Sequence, residues 1–376
     1  LQWIAPGGKI GIVMPKSFLD TQTYYPARRL LLDSYRLLAV INCHKDTFQP
    51  HTGVRTSLLI VERPLQAEDV GTDYEIFMAI SKKIGQDSEG FPIFKRNSDN
   101  ELTEIIDHDL DEILEDYKLH KDGKLNNSEY RFSIRKSDID TQLRINPQFY
   151  LPNLNETIRQ IESIDGLEGW SVVTLGQICS GVRIFKGPRL KSENLIVENS
   201  GEGIEPYYTP SAVLQEKSDS AKLLNVAIAS AKQIATINAV RVYRGDIVIT
   251  RSGTIGRVAY ITKRLNGAIV SDDLIRVRIP DEGIRNYALQ FLQSDMALNQ
   301  MLKNEYGAVQ QHLEPNHVSD ILIPIPANWA DADQLIENVR NQLLLKEALE
   351  DATSTLDKDV CVLINSLIEK AKQKNA

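Results

Sequence analysis

Three stretches of the sequence place residues suited to polar recognition on bent loops. Arg183–Lys191 reads Arg-Ile-Phe-Lys-Gly-Pro-Arg-Leu-Lys, so Arg183, Lys186, Arg189 and Lys191 share a Gly/Pro-bent segment with an aromatic ring. Cations there suit phosphate oxygens, and Arg can read a guanine edge through two parallel donors. A solubilising loop is the plain alternative. Asp246–Tyr260 reads as strand, glycine turn, strand, with Arg251, Ser252, Thr254 and Arg257 at or near the tip. Gly253 and Gly256 permit the turn geometry and a close backbone approach to a ligand. Gly307–Leu313 sets Gln310, Gln311 and His312 between a glycine and an apolar anchor. Gln suits adenine edges, although a capped connection before the next helix would use the same residues.

Other motifs carry less. Asn146–Tyr150 invites comparison with an Asn-Pro-Pro-Tyr catalytic tetrad, in which the Asn and a backbone carbonyl accept hydrogen bonds from a target amino group and the aromatic stacks on a flipped base. The second Pro is absent, an extra residue intervenes and no apolar strand leads in, so a linker turn is the better account. Gly7–Lys9 lacks the spacing of a P-loop. Asp107, Asp109 and Asp111 begin like an EF-hand, but Glu112 and Lys118 stand where the turn glycine and the bidentate Glu belong. His312 and His317 have no nearby Cys and poor metal spacing. Neither a catalytic set nor a metal site is expected.

These loops need elements to hold them. Lys9–Met14, Leu37–Ile41 and Thr56–Val61 read as strands, with a helix over Tyr24–Asp33 whose apolar side is Leu30, Leu31 and Leu32. Strand, helix, strand, turn, strand suits the end of an α/β sheet, but alone it leaves sheet edges uncovered. Tyr74–Ile80 reads as another strand. Leu102, Ile105, Ile106, Leu110, Ile113 and Leu114 recur at helical spacing, predicting one acidic helix over Asp99–Tyr117. Asn146–Pro152 reads as an extended linker and Leu154–Ile164 as a short helix. From Trp170 to Pro326 the pattern becomes short β runs between Gly, Pro, Ser and Asn, interrupted by a helical stretch over Asn286–Lys303. Asp331–Lys374 has no Gly or Pro and is rich in helix formers. Within it Leu349, Thr353, Leu356, Val360, Leu363 and Leu367 follow a heptad seam. A helix packed on its own domain and a helix paired with a partner fit that seam equally.

Composition bounds the rest. In 376 residues, 42% are hydrophobic and 25% charged, the proportions of an ordinary globular chain. The longest apolar runs, Leu37–Ile41 and Leu58–Val61, fall far short of the ~20 residues that span a bilayer. No leader pattern opens the chain, and its first residues read as the middle of a domain, so an N-terminal part is expected to be missing. Cys43, Cys179 and Cys361 are scattered and odd in number, which suits a reducing compartment. The net charge of −8 hides an uneven distribution: residues 1–65 carry +4, 66–166 carry −10, 167–326 carry +1 and 327–376 carry −3. Local potential governs association with polyanions, so an acidic average is weak evidence against DNA.

Taken in order, the motifs resemble the target recognition domain of type I restriction–modification specificity subunits. Trp170–Gly176 looks like the family's opening strand and Pro206–Thr209 like its central extended segment. Arg244–Ile247 with Ser252–Gly256 looks like its most recognisable hairpin, and Pro324–Pro326 like the exit into its coiled-coil spacer. Upstream, Pro6–Pro15 with the runs at 37–41 and 56–61 is similar to the last strands of the partner methylation subunit, an adenine N6 DNA methyltransferase. The charged segment with Gly85–Gly90 also fits that subunit's C-terminal region.

The resemblance implies an α+β chain in four parts. These are the end of an α/β methyltransferase sheet (1–65), an acidic helical connecting region (66–145), a mostly β recognition domain with an inserted helix (146–326) and a long coiled-coil-like spacer helix (327–376). It implies duplex DNA as ligand, and the three loops then make Arg183, Lys186, Arg189, Lys191, Arg251, Ser252, Thr254, Arg257, Gln310, Gln311 and His312 the expected contacts. Methyltransferase and restriction subunits or domains, and a homodimer through the last helix, would be the other partners. The setting would be cytoplasmic, with no membrane contact. S-adenosylmethionine is expected for the full enzyme only, because the methyl-donor loop and the Asn-Pro-Pro-Phe/Tyr motif would precede Leu1. An interaction scaffold, and the end of a combined restriction-and-methylation enzyme, are the alternatives.

Overall fold

The computed structural model describes residues 4–215, 221–303 and 312–374, except for the side chains of 67–68, 357–358, 361 and 367–374. Two compact units emerge. One holds the chain to residue 160 together with 299–313; the other holds 161–298 and the chain from 314.

The first unit contains β1 (Lys9–Pro15), α1 (Tyr25–Ser34), β2 (Arg36–Asn42), β3 (Thr56–Glu62), β4 (Glu75–Ile80), β5 (Phe94–Arg96), β6 (Leu102–Ile106), α2 (Leu110–Lys121) and β7 (Arg131–Arg135). α3 (Pro152–Glu162) follows, with its last turn beyond residue 160. The expected strands at 9–14, 37–41 and 56–61 are present, and β4 and β7 extend them into a sheet of order β1-β3-β2-β4-β7. β3 runs antiparallel to both β1 and β2, β4 is parallel to β2, and β7 is antiparallel to β4. β1, β2 and β4 therefore point the same way. Residues 66–145 supply two of the five strands, so this region is part of the sheet as well as a connection.

Several local expectations change. α1 buries Leu31 and Leu32 but leaves Leu30 62% exposed. The single helix expected over Asp99–Tyr117 is a β5–β6 hairpin followed by α2. The Asn97 side chain accepts the amides of Asp99 and Glu101, and Asn100 adopts φ +64, which makes a turn. Thr103, Ile105 and Ile106 then favour strand through their β-branching. The stretch Asn146–Pro152 is no extended linker: Pro147–Tyr150 form a 3-10 turn, and Pro147, Tyr150 and Leu151 are buried.

Asn146 is consumed by this buried turn. Its Oδ1 accepts from the Gln148 amide and from Asn42 Nδ2, and its Nδ2 donates to Asp20 Oδ2 at 2.8 Å. Burial, the main influence on Asp20, pushes its carboxyl up from the usual range. Asp107 and Asp109 are likewise engaged, with Lys83 Nζ and with Ser81 Oγ plus the Lys82 amide.

The second unit contains β8 (Trp170–Thr174), β9 (Arg183–Lys186), β10 (Ile196–Val197), β11 (Ile204–Tyr208), α4 (Pro210–Leu214), β12 (Lys222–Asn225), α5 (Ala231–Ala239), β13 (Ile247–Thr250), β14 (Val258–Tyr260), β15 (Ile269–Val270), β16 (Leu274–Arg278) and α6 (Glu282–Leu292). α7 (Asp295–Lys303) leads into residues 299–313, and α8 (Pro315–Ser319), β17 (Leu322–Pro326) and α9 (Asp333–Lys374) complete the chain. The expected helical stretch over Asn286–Lys303 is thus two helices, α6 and α7, broken at Ser294, whose hydroxyl donates to the Phe291 carbonyl.

The second unit's strands form two four-stranded sheets, β14-β13-β16-β9 and β10-β12-β11-β15, and the pair β17–β8. Neighbouring residues of β11 and β15 feed different cores because strand side chains alternate faces. Tyr208 and Val270 pack with Val248 and Ile261, while Tyr207 and Ile269 pack with Leu195 and Ile237.

The motif Arg244–Gly245–Asp246–Ile247 has a structural explanation. Asp246 is buried and accepts from Arg278 Nε and Nη2 and from the Tyr243 amide. Gly245 takes φ +92, a conformation that glycine reaches without steric cost. Arg244 reaches α9 and grips Glu347 with two hydrogen bonds, at 2.8 and 2.9 Å. Glu347 also accepts the Lys263 amide, so the helix is latched to the β domain over its first half. Beyond the latch, α9 shows Leu349, Leu356, Val360 and Leu363 at 45–64% exposure.

Candidate nucleic-acid interface

The register of β14-β13-β16-β9 decides which of the expected contacts meet. Thr250, the last residue of β13, pairs with Leu274, and Lys186, the last residue of β9, pairs with Ile275. The β13–β14 tip and the basic loop after β9 therefore emerge at the same end of one sheet. Arg183 pairs with Arg278 at the other end of β9, roughly 10 Å away along the strand. Sequence neighbourhood grouped Arg183 with Lys186; the strand separates them.

At the shared end, Lys186, Arg189, Lys191, Thr254 and Arg257 are exposed, while Arg251 and Ser252 are partly covered. Gly253 and Gly256 adopt φ +72 and +77. Thr250 ties the tip together: its hydroxyl donates to the Thr254 carbonyl and accepts the Arg257 amide. Arg251 and Lys186 converge on one carboxylate, Glu314, with Arg251 Nη2 on Oε1 and Lys186 Nζ 3.5 Å from Oε2. Asp273 stands 3.7 Å from Arg251 Nη1. Glu314 thus cross-links the two loops and holds a negative charge between two cations.

The loop after β9 rests on Arg276, which is 3% exposed. Its guanidinium donates to the carbonyls of Arg241 and Ala239 at 2.7 and 2.6 Å and lies 4.4 Å from the Phe185 ring centre. Burial pulls its pKa down, with Asp246 opposing. A Cβ on Gly187 would stand 2.6 Å from Val240 Cγ1 and 3.0 Å from Arg276 Nη2, so the chain passes too closely for a side chain. Arg241 is itself fixed by a two-pronged pair with Glu205; that hydrogen bonding holds the Glu205 carboxyl below its usual range and raises the Arg241 pKa.

Gln310 and Gln311 lie outside the described residues, and His312 belongs to the first unit. Sequence reasoning missed Glu314, Asp273 and Arg276. Only the apolar Phe185, between Arg183 and Lys186, hinted that a cation would stack there. Among the described residues, no group of His, Cys, Asp and Glu could hold a metal ion, and no helix is long and apolar enough to cross a membrane.

The arrangement is a β module presenting cations and hydroxyls on two braced loops. Residues 167–339, just under half of the chain, match the family model of the type I restriction modification DNA specificity domain. The chain therefore carries a module for sequence-specific DNA recognition in restriction–modification. No curated protein matches the chain in sequence.

Solved structures give distant likenesses. One is the type IIG restriction endonuclease BpuSI, at 13% identity and TM-score 0.38, over 89% of this chain and 42% of that one. Another is the type IIL restriction-modification enzyme MmeI in complex with DNA, at 11% and 0.39, over 83% and 38%. A third is the HsdS subunit from Thermoanaerobacter tengcongensis, at 16% and 0.32, over 52% and 45%. This chain spans less than half the length of each, and the assignment rests on the family match.

Proposed function

We propose that the chain reads duplex DNA for an adenine N6 DNA methyltransferase of a restriction–modification system, with the loops after β9 and at the β13–β14 tip as its DNA-facing surface. The observation that carries this reading is the convergence of those loops at one sheet end inside the matched domain. Lys186, Arg189, Lys191 and Arg257 would position phosphates, with Ser252 and Thr254 near base edges. The first unit, a sheet with three co-directional strands, suits the C-terminal end of a methyltransferase domain. S-adenosylmethionine belongs to the full enzyme in this reading, since no Gly-rich methyl-donor loop stands in the sequence, and Asn146, engaged with Asn42, Asp20 and Gln148, serves the fold and not a target amino group. A cytoplasmic setting goes with this role, and a combined restriction-and-methylation enzyme would use the same module.

Neutralising Lys186 and Arg189 together (K186Q/R189Q) should weaken binding to all duplexes alike, by about 10- to 100-fold near physiological salt. The slope of log affinity against log salt should flatten by roughly 0.9 for each phosphate that the variant no longer neutralises. Fluorescence anisotropy across a salt series reads both. An unchanged slope would remove this loop from the DNA surface.

The exposed stripe of α9 favours pairing with a second copy, which would let two recognition domains read inverted half-sites. Leu356→Glu with Leu363→Glu should turn a dimer into a monomer in sedimentation velocity. A wild-type chain that sediments as a monomer at tens of micromolar contradicts the pairing.

A further inference from the structure

A second basic site lies in the first unit, on residues outside 167–339. β1, β2 and β4 point the same way, and their carboxyl ends meet the start of β3 around a cavity of about 250 Å³. In open α/β sheets this edge is where ligands bind. Three backbone hydrogen bonds carry the sheet into the cavity walls: the Lys16 amide to the Arg55 carbonyl, the Cys43 amide to that of Thr56 and the Ser81 amide to that of Asn42.

The lining is cationic. Lys16, Lys45, Arg55 and Lys82 border the cavity with His44, and none of the described residues lining it is a carboxylate. Three acids stand behind the lining. Asp46 faces His44 at 3.7 Å, Asp20 accepts from Asn146 and its charge also acts on Lys16, and Asp109 accepts Ser81 Oγ and the Lys82 amide, so the field at the mouth comes from Lys45, Arg55 and Lys82. The floor is rigid, because Asn42 bonds to Ser57 Oγ and Asn146 Oδ1 at 2.7 and 2.9 Å. Lys82 Nζ is steadied 4.3 Å from the Tyr130 ring centre. Three of the eight basic residues of 1–65, with Lys82, thus border one concave site, where low-dielectric walls focus the field.

From this placement we infer that the carboxyl edge of the first unit's sheet is a phosphate-binding site that takes a backbone phosphate of duplex DNA. The anion chemistry stands on the cavity alone; only the source of the phosphate rests on the DNA-reading role. Lys45 is exposed and Arg55 half-buried, so both can be neutralised without opening the core.

The test uses the full chain, with inorganic phosphate followed by 31P line broadening and a random-sequence duplex as competitor at low salt. The expected result is that phosphate binds, the duplex displaces it, and K45Q/R55Q loses most of the phosphate signal. The same variant should flatten the duplex salt slope by roughly 0.9 per phosphate, while K186Q/R189Q keeps the phosphate signal. Equal phosphate binding by K45Q/R55Q and wild type overturns the site. Phosphate binding that no duplex displaces, with an unchanged salt slope, overturns the DNA source and leaves a small phosphate-bearing ligand. If wild type binds phosphate but no duplex at all, the DNA-reading role falls while the anion site stands.

Discussion

Replacing Arg28 with Met lowers the stability of the first unit by about 3–5 kcal/mol, the cost of removing a buried, fully engaged cation. Arg28 is completely buried, and its guanidinium donates to four carbonyls. Nε reaches Leu143 at 2.7 Å, Nη1 reaches Phe18 and Thr21 at 2.9 and 2.8 Å, and Nη2 reaches Gln142 at 3.1 Å. Those carbonyls belong to the turn after β1 and to the segment entering Asn146, so one side chain joins two parts of the chain far apart in sequence. Leu143 holds φ +53, which an ordinary side chain rarely adopts, and its carbonyl faces Arg28. Met fills similar length but leaves these acceptors orphaned. Amide hydrogen exchange in β2 and β4 measures the effect on this unit, and protection there should fall by roughly two to four orders of magnitude. A loss below about 1 kcal/mol would mean that water satisfies the carbonyls and the clamp is dispensable.

The second large effect is expected at Arg276. Arg276→Met should destabilise the second unit by about 2–4 kcal/mol, since it orphans the Ala239 and Arg241 carbonyls. It also removes the guanidinium beneath Phe185 and Gly187. The loop carrying Arg189 and Lys191 then loses its seat, although neither cation is changed. Hydrogen exchange in β13 and β16 should show the loss of stability, and duplex affinity should fall with it. Arg276→Lys should recover little, because an ammonium lacks the planar fork that reaches both carbonyls while stacking on the ring. Full affinity in a destabilised R276M would separate the loop's position from DNA binding.

Much of the fold was legible because its signals are local. Short β-branched runs marked β1, β2, β3, β4, β13 and β16, and the Gly-free, Pro-free tail marked α9. The β5–β6 hairpin was misread because apolar residues at 102, 105, 106, 110, 113 and 114 satisfy a helical template, while the turn at Asn97–Asn100 depends on side-chain hydrogen bonds. β9 and β12 are four residues long and carry too little periodicity to be separated from loop.

The candidate site was legible in kind, less so in arrangement. The basic loop and the glycine hairpin could be named from composition, but their meeting at one sheet end depends on β13, β16 and β9 pairing in a particular register. Glu314 bridges residues 63 and 128 positions away, a juxtaposition that no spacing rule reaches. The phosphate cavity is similar. Lys16 and Arg55 are neighbours only because Pro15 pairs with Thr56 across β1 and β3.

Recognition of a particular DNA sequence by these loops is tested most directly by selecting bound duplexes from a randomised pool, at low and near-physiological salt. The structure predicts enrichment of a short motif that survives the higher salt, split and inverted if α9 pairs two copies. Recovery of unselected DNA that salt removes entirely, or of no DNA, would contradict sequence recognition by this chain.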